Sequence, residues 1–307
     1  WLERRYGTIE NLNSAWKSGY RVFAEITPPT PAERDADDKY TFIDPVSRRK
    51  LIDLRAFFSD LVSGIIDELG QTVKTASGGR SLYGTYYGYV TYTALDAWSE
   101  NGHFALRKLL NLPNIDFLAS LVRYDNRFVG GESGSMTPVN SFALHGKAAV
   151  LQSDLRTHYC AANEFGATFS LRESAEVVKR ELAWAFVSGA VFEFGFYGRG
   201  WIASDPRLME VVGRYQQIEA QYGSDKEIFS NSANQIAVIV DDYSANYILQ
   251  KSPYHRIGIR ELIRQFPHAG TGFDIYLLSD LPKIAGRYRC FIFANTNQNA
   301  KCFIFKN

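Results

Sequence analysis

The sequence predicts an α/β fold with parallel strands. Residues 80–223 read as half of an eight-stranded (β/α)8 barrel or most of an open sheet, and a second, doubly wound α/β unit begins after them. Three observations carry this. Helical and strand periodicities alternate along the chain, the pattern of parallel α/β architectures. Four strand-like segments between residues 80 and 223 are each followed by a helix or helical turn. Ile236, Ala237, Val238, Ile239 and Val240 form an unbroken apolar run, as a strand buried on both faces requires.

Residues 50–69 are predicted as an amphipathic helix. Leu51, Leu54, Phe58, Leu61, Ile65 and Leu69 recur at three- and four-residue spacing, Asp53, Arg55, Asp60 and Asp67 occupy the other face, and Gly70 is the stop. A Tyr-rich strand is expected over 81–90, a helix over 100–110, and strands over 115–121 and 148–152. Ser170 to Glu173 has the form of a capping box. It opens a helix carrying Val178, Leu182, Trp184, Ala185 and Phe186 that ends at Gly189. Residues 190–196 read as the fourth strand. Asp205 caps the next helix and Pro206 occupies its first turn. Leu208, Val211, Val212, Tyr215 and Ile218 form its apolar face, and Gly223 closes it. The polar stretch 223–234 reads as a linker, which places a domain boundary near residue 230. After the strand at 236–240, a helix near 257–267 and strands at 273–278 and 289–293 continue a doubly wound pattern. Residues 302–305 are again strand-like.

A chain of 307 residues with 46% hydrophobic content has room for two domains and a sizeable core. Its net charge of +1 has no long run of one sign, which argues against a nucleic-acid partner. No apolar run reaches the ~20 residues of a membrane span, and no signal peptide is visible. Cys160, Cys290 and Cys302 are too sparse and wrongly spaced for a disulfide framework or a zinc site, and read as reduced core thiols. The chain opens in a helical pattern and its first methionine is Met136, so it is read as starting inside a longer protein.

In a β/α barrel, chemistry sits at the C-terminal ends of the strands. The first such end is Tyr86-Tyr87-Gly88-Tyr89. The second is residues 122–127, with Tyr124 and Arg127, followed by the Gly-rich loop 130–134. That loop lacks the G-x-x-x-x-G-K-[ST] spacing of a phosphate cradle. The third end, residues 151–158, crowds Gln152, Asp154, Arg156 and His158 together, with His145 and Lys147 before it. Asp154 and Arg156 can pair there, as a brace for the barrel mouth or as part of a site. The fourth end offers Glu193, then residues 197–201 with Trp201, which could stack on a sugar ring. His103, His255 and His268 read as surface or satisfied side chains, and no spacing supports a metal. Asp241-Asp242-Tyr243-Ser244 stands where a nucleotide-binding G-x-G-x-x-G would follow the strand, so no cofactor is implied.

Residues 1–16, WLERRYGTIENLNSAW, resemble the "WL…YGT…LN.AW" segment of glycoside hydrolase family 42 β-galactosidases and their clan A relatives, and Glu25-Ile26-Thr27-Pro28-Pro29 fits the same stretch. Residues 114–120 with 124–127 resemble the sixth barrel strand and its loop, and residues 145–158 the seventh. Residues 238–244 and 274–281 resemble the start of that family's Rossmann-like domain, which mediates trimer formation. The resemblance implies a partial (β/α)8 barrel over 1–230 and a truncated Rossmann-like domain over 231–307. It implies a carbohydrate partner, a homotrimer in the full-length protein, and a retaining mechanism with two glutamates ~5 Å apart. The acid/base glutamate of such enzymes precedes the segment where this chain begins. The nucleophile falls two residues before the Asp of the D-x-R-T run, which is Gln152 here. An amide cannot replace an anion beneath the anomeric carbon. The chain is therefore expected to bind a β-galactoside-like sugar without turnover, lined by Tyr89, Tyr124, Arg127, Asp154, Arg156, Glu193 and Trp201. The alternatives are an inactive carbohydrate-binding relative and a β-mannosidase-like hydrolase. If the register is shifted, Asp154 or Glu193 takes the nucleophile position.

Overall fold

The computed structural model describes residues 1–35, 41–92, 100–195, 205–224, 232–249 and 252–295. Three short helices, α1 (Leu2–Tyr6), α2 (Ile9–Trp16) and α3 (Pro31–Asp35), precede the long helix α4 (Arg49–Ser77). Four parallel strands then alternate with helices: β1 (Gly84–Tyr86), α5 (Leu106–Leu110), β2 (Phe117–Leu121), α6 (Val139–Leu144), β3 (Ala148–Ser153), α7 (Leu171–Val187), β4 (Val191–Phe194) and α8 (Pro206–Tyr222). Their sheet order is β1-β2-β3-β4, with every neighbouring pair parallel. Strands that follow sheet order without reversal are consistent with a barrel segment. The second sheet holds β5 (Ile236–Val240), β6 (Phe273–Leu277) and β7 (Cys290–Phe293) in the order β6-β5-β7. Its chain order reverses at β5, as in a doubly wound sheet. The architecture is thus mixed α/β with two parallel sheets, consistent with a partial barrel followed by a Rossmann-like unit.

The helix expected over 50–69 runs to Ser77, and its buried face differs from the one expected. Ile52, Ala56, Ser59, Ser63, Ile66 and Gly70 are buried, whereas Leu61, Ile65 and Leu69 are 44%, 49% and 52% exposed. Small residues win that face because neighbours come close. Ser59 accepts from the Phe104 amide at 3.2 Å, and Lys108 donates to Ser63 at 2.9 Å. Gly70 is a packing site and not a stop, since a Cβ there would lie 2.9 Å from the Tyr83 ring. The helix ends at Gly78, in the left-handed region at φ 60°. Asp53 and Arg55, expected on the solvent face, are buried and paired. Asp53 accepts from Trp16 at 2.8 Å and from Tyr6, and Arg55 donates to the Ile248 carbonyl at 2.8 Å.

Other elements form as predicted, with shorter bounds. The strand at 81–90 shrinks to Gly84–Tyr86 because Gly88, at φ 89°, turns the chain out of the sheet. The helix at 100–110 shrinks to Leu106–Leu110, whose buried Leu106, Leu109 and Leu110 contribute on the order of 5 kcal/mol together. The helix near 257–267 is a composite. A π-helical turn over His255–Glu261 leads into α9 (Leu262–Gln265) and a 3-10 turn over Phe266–Ala269. A last short helix, α10 (Leu281–Ile284), precedes β7. Ser170 caps α7 by accepting from the Glu173 amide, and Asp205 caps α8 from Arg207. The strand-like residues 302–305 and the boundary expected near 230 lie outside the described residues. Among the described residues no helix is long and apolar enough to cross a membrane.

The two sheets share one core. Leu118 and Leu151 of the first belong to the same apolar cluster as Val238, Val240 and Leu277 of the second. Polar contacts reinforce it. Arg107 reaches Asp242 at 2.7 Å and Asp241 at 2.6 Å. Asn140 and Ser141 on α6 accept from the backbone amides of Ile275 and Leu277, both at 2.8 Å, which satisfies the free edge of β6. Helices cover one face of the first sheet, where Leu118, Ala149 and Leu151 pack against Leu109, Phe142 and Ala185. Alternate residues point to the other face, and there the site lies.

Candidate active site

The strand pleat and register bring three side chains together on the open face. Gln152 of β3 stands beside Glu193 of β4 in register. Its amide Nε2 donates to Glu193 Oε1 at 3.2 Å. Tyr86 of β1 donates its phenol to Glu193 Oε2 at 3.2 Å. Gly195 keeps this corner open, because a Cβ there would sit 3.1 Å from the Gln152 carboxamide carbon. All three residues lie at the C-terminal ends of their strands, and Glu193 is exposed. The cluster presents one carboxylate, one amide and one phenol to solvent. Cavities of about 310, 320 and 1180 Å³ lie elsewhere in the molecule.

Behind it is a buried brace. Asp154, 3% exposed, lies between the guanidinium groups of Arg127 and Arg156. Arg127, 2% exposed, also donates to the carbonyls of Val122 at 3.0 Å and Arg123 at 3.1 Å. Its guanidinium lies 4.0 Å from the Tyr124 ring centroid. Two cations around one carboxylate, with backbone acceptors for the remaining donors, is the arrangement that makes a buried charge tolerable. The brace ties the end of β2 to the end of β3.

Tyr89, beyond Gly88, is half-buried and lies with its ring 4.6 Å from that of His103. His103 accepts from the Gly88 amide at 3.1 Å through Nδ1, and burial lowers its pKa to about 4. It is therefore a neutral acceptor holding the turn after β1. The Gly-rich loop is a latch. Arg180 on α7 donates to the carbonyls of Phe128 and Gly131, each at 2.9 Å, and Ser133 donates to Glu181. Its carbonyls are turned inward to a cation, opposite to a phosphate cradle. Trp201 lies outside the described residues. Cys160 and Cys290 are free thiols, and Cys302 is also outside them. No group of three His, Cys, Asp or Glu among the described residues is placed to hold a metal ion.

Of the residues expected at the site, Gln152 and Glu193 therefore meet directly. Asp154, Arg127, Arg156 and Tyr124 form the adjoining brace, and Tyr89 stands with His103. Tyr86 was not singled out from the sequence, where Tyr89 was preferred. The signal for it is register: Tyr86 pairs with Ala119, Ala119 with Val150, and Val150 lies two residues before Gln152 on the same face.

Parallel strands in chain order with polar groups at their C-terminal tips are consistent with a partial α/β barrel. The family model for glycoside hydrolase family 42, described as beta-galactosidase, matches residues 1–114. The resemblance carried by residues 1–16 is thereby shown: residues 1–114 are similar to family 42 β-galactosidases, which supports a glycoside hydrolase. No curated protein matches the chain. The family match includes Tyr86 and Tyr89 and ends before Gln152 and Glu193.

Proposed function

We propose that the strand-tip cluster is the sugar site of a β-galactosidase-type glycoside hydrolase, altered so that it binds a terminal β-linked galactose without cleaving it. The observation that supports this is the contact of the Gln152 amide with Glu193 on the open face. A retaining glycosidase needs an anion under the anomeric carbon and an acid about 5 Å from it. In this reading position 152 underlies the anomeric carbon. An amide there donates and accepts hydrogen bonds but forms no glycosyl-enzyme ester. Glu193 and Tyr86 hold sugar hydroxyls. Arg127, Asp154 and Arg156 set the end of β3 and hence the direction of the side chain at 152, with Tyr124 packed beneath. Tyr89 lines the rim.

The test uses 2-deoxy-2-fluoro-β-galactosyl fluoride. Its leaving group departs as fluoride and needs no acid. In Gln152→Glu, the new carboxylate oxygen bonds to the anomeric carbon as the C–F bond breaks. The expected result is a mass increase of one fluorogalactosyl unit on that variant and none on the parent chain, with galactose binding measured calorimetrically on both. Labelling of the parent, or no labelling of a folded Gln152→Glu, overturns the assignment of position 152. A mannosyl fluoride that labels faster than the galactosyl one overturns the sugar.

A further inference from the structure

A cavity of about 310 Å³ separates the first unit from the second, away from Gln152 and Glu193. The loop after β2 forms one side, and Trp184 of α7 and Arg264 of α9 contribute to the others. That loop has two working faces. Arg123, Asp125 and Glu132 line the cavity, while Arg127 of the same loop grips Asp154 in the brace.

Most polar groups around the cavity are already engaged. Asp125 pairs with Arg123 and Arg260. Glu132 differs. Its Oε1 accepts from Asn126 at 2.6 Å, while Oε2 is buried without a hydrogen bond and has His268 Nε2 at ion-pair distance, 3.3 Å. Leaving a buried acceptor unmet is costly, so a ligand hydroxyl that donates there removes a deficit. Arg264, held by Glu261 at 2.7 Å, brings a guanidinium to the same cavity, and Trp184 brings an indole. Charges of both signs beside one aromatic wall suit a neutral ring that is polar at its edge and apolar on its face. The volume is at the small end of ligand sites.

We propose that this cavity is a second binding site, for a neutral hexose-sized sugar, separate from the strand-tip cluster and independent of the function proposed for it. A sugar held there donates to Glu132, accepts from Arg264 and restrains the loop that supports the brace.

The test is calorimetric titration of the full chain with D-galactose, D-glucose and D-mannose. At least one should bind saturably at a site that persists in Glu193→Gln, and bind there about tenfold more weakly in Glu132→Gln. Arg264→Met, at a more exposed position, should weaken it as well. Amides of residues 123–135 should exchange more slowly in the bound state. No binding of any of the three hexoses, binding abolished by Glu193→Gln, or binding indifferent to both cavity variants overturns the proposal.

Discussion

The phenol of Tyr86, on the first strand of the barrel segment, donates to the carboxylate of Glu193, on the fourth, at 3.2 Å. Two strands lie between them. In a flat sheet the two positions, three strand spacings across and two residues along, would stand roughly 16 Å apart. Their tips meet because the sheet curls with its open face inside. This bond reports curvature and site geometry together.

Removing it should therefore affect binding more than folding. Both side chains are exposed, so Tyr86→Phe should cost under about 1 kcal/mol in denaturant unfolding. Galactose affinity should fall several-fold, because Glu193 loses one of the two side-chain donors it has among the described residues. A large loss of stability with unchanged affinity would assign Tyr86 to the fold alone.

Gln152→Glu places a second carboxylate where an amide now donates to Glu193 at 3.2 Å. Two carboxylates that close share a proton, and one of them titrates above the usual range. A folded-state pKa above the unfolded value means that the folded state holds the extra proton. The variant's penalty is then absent below about pH 4 and grows as pH rises through the shared titration. Melting temperatures of parent and variant should converge in acid and separate towards neutrality. A constant offset would show that the two side chains have moved apart.

Asp154 is the anion on which Arg127 and Arg156 converge. Asp154→Asn strands the buried Arg127 and should destabilise the chain by about 3–5 kcal/mol. The double variant Arg127→Met/Asp154→Leu should recover much of that loss. Urea unfolding measures both, and a double variant no better than Asp154→Asn would mean that the charges were not the cause.

His103 is held neutral by burial, with its pKa lowered to about 4 from 6.5. The unfolded chain therefore binds a proton between these values that the folded chain refuses. The stabilising effect is complete above about pH 6.5 and is lost as pH falls towards 4, a change on the order of 3 kcal/mol. His103→Gln should flatten the acid limb of the stability profile. A limb unchanged in that variant would move the titration to another group.

Much of the fold was legible in the sequence because it rests on local chemistry. Ser170 and Asp205 cap the helices they were expected to cap. The apolar run at Ile236–Val240 is the central strand of its sheet. The least legible element was α4. Leu61, Ile65 and Leu69 are half exposed, and beside Leu51, Ile52 and Ile66 its buried face carries small residues and two charged ones. Periodicity measures hydrophobicity along one helix. It cannot register that Tyr83 needs the space at Gly70, or that Asp53 finds partners in Tyr6 and Trp16, many residues away.

The site divides in the same way. Residue types and spacing alone placed Gln152 and Glu193 at neighbouring strand ends, because pleat alternation and strand order are local properties. Only the folded chain decided that these two touch, that Tyr86 joins them from two strands away, and that Asp154 lies buried between two arginines. Sheet curvature and burial are produced by contacts between distant segments, and no single segment encodes them.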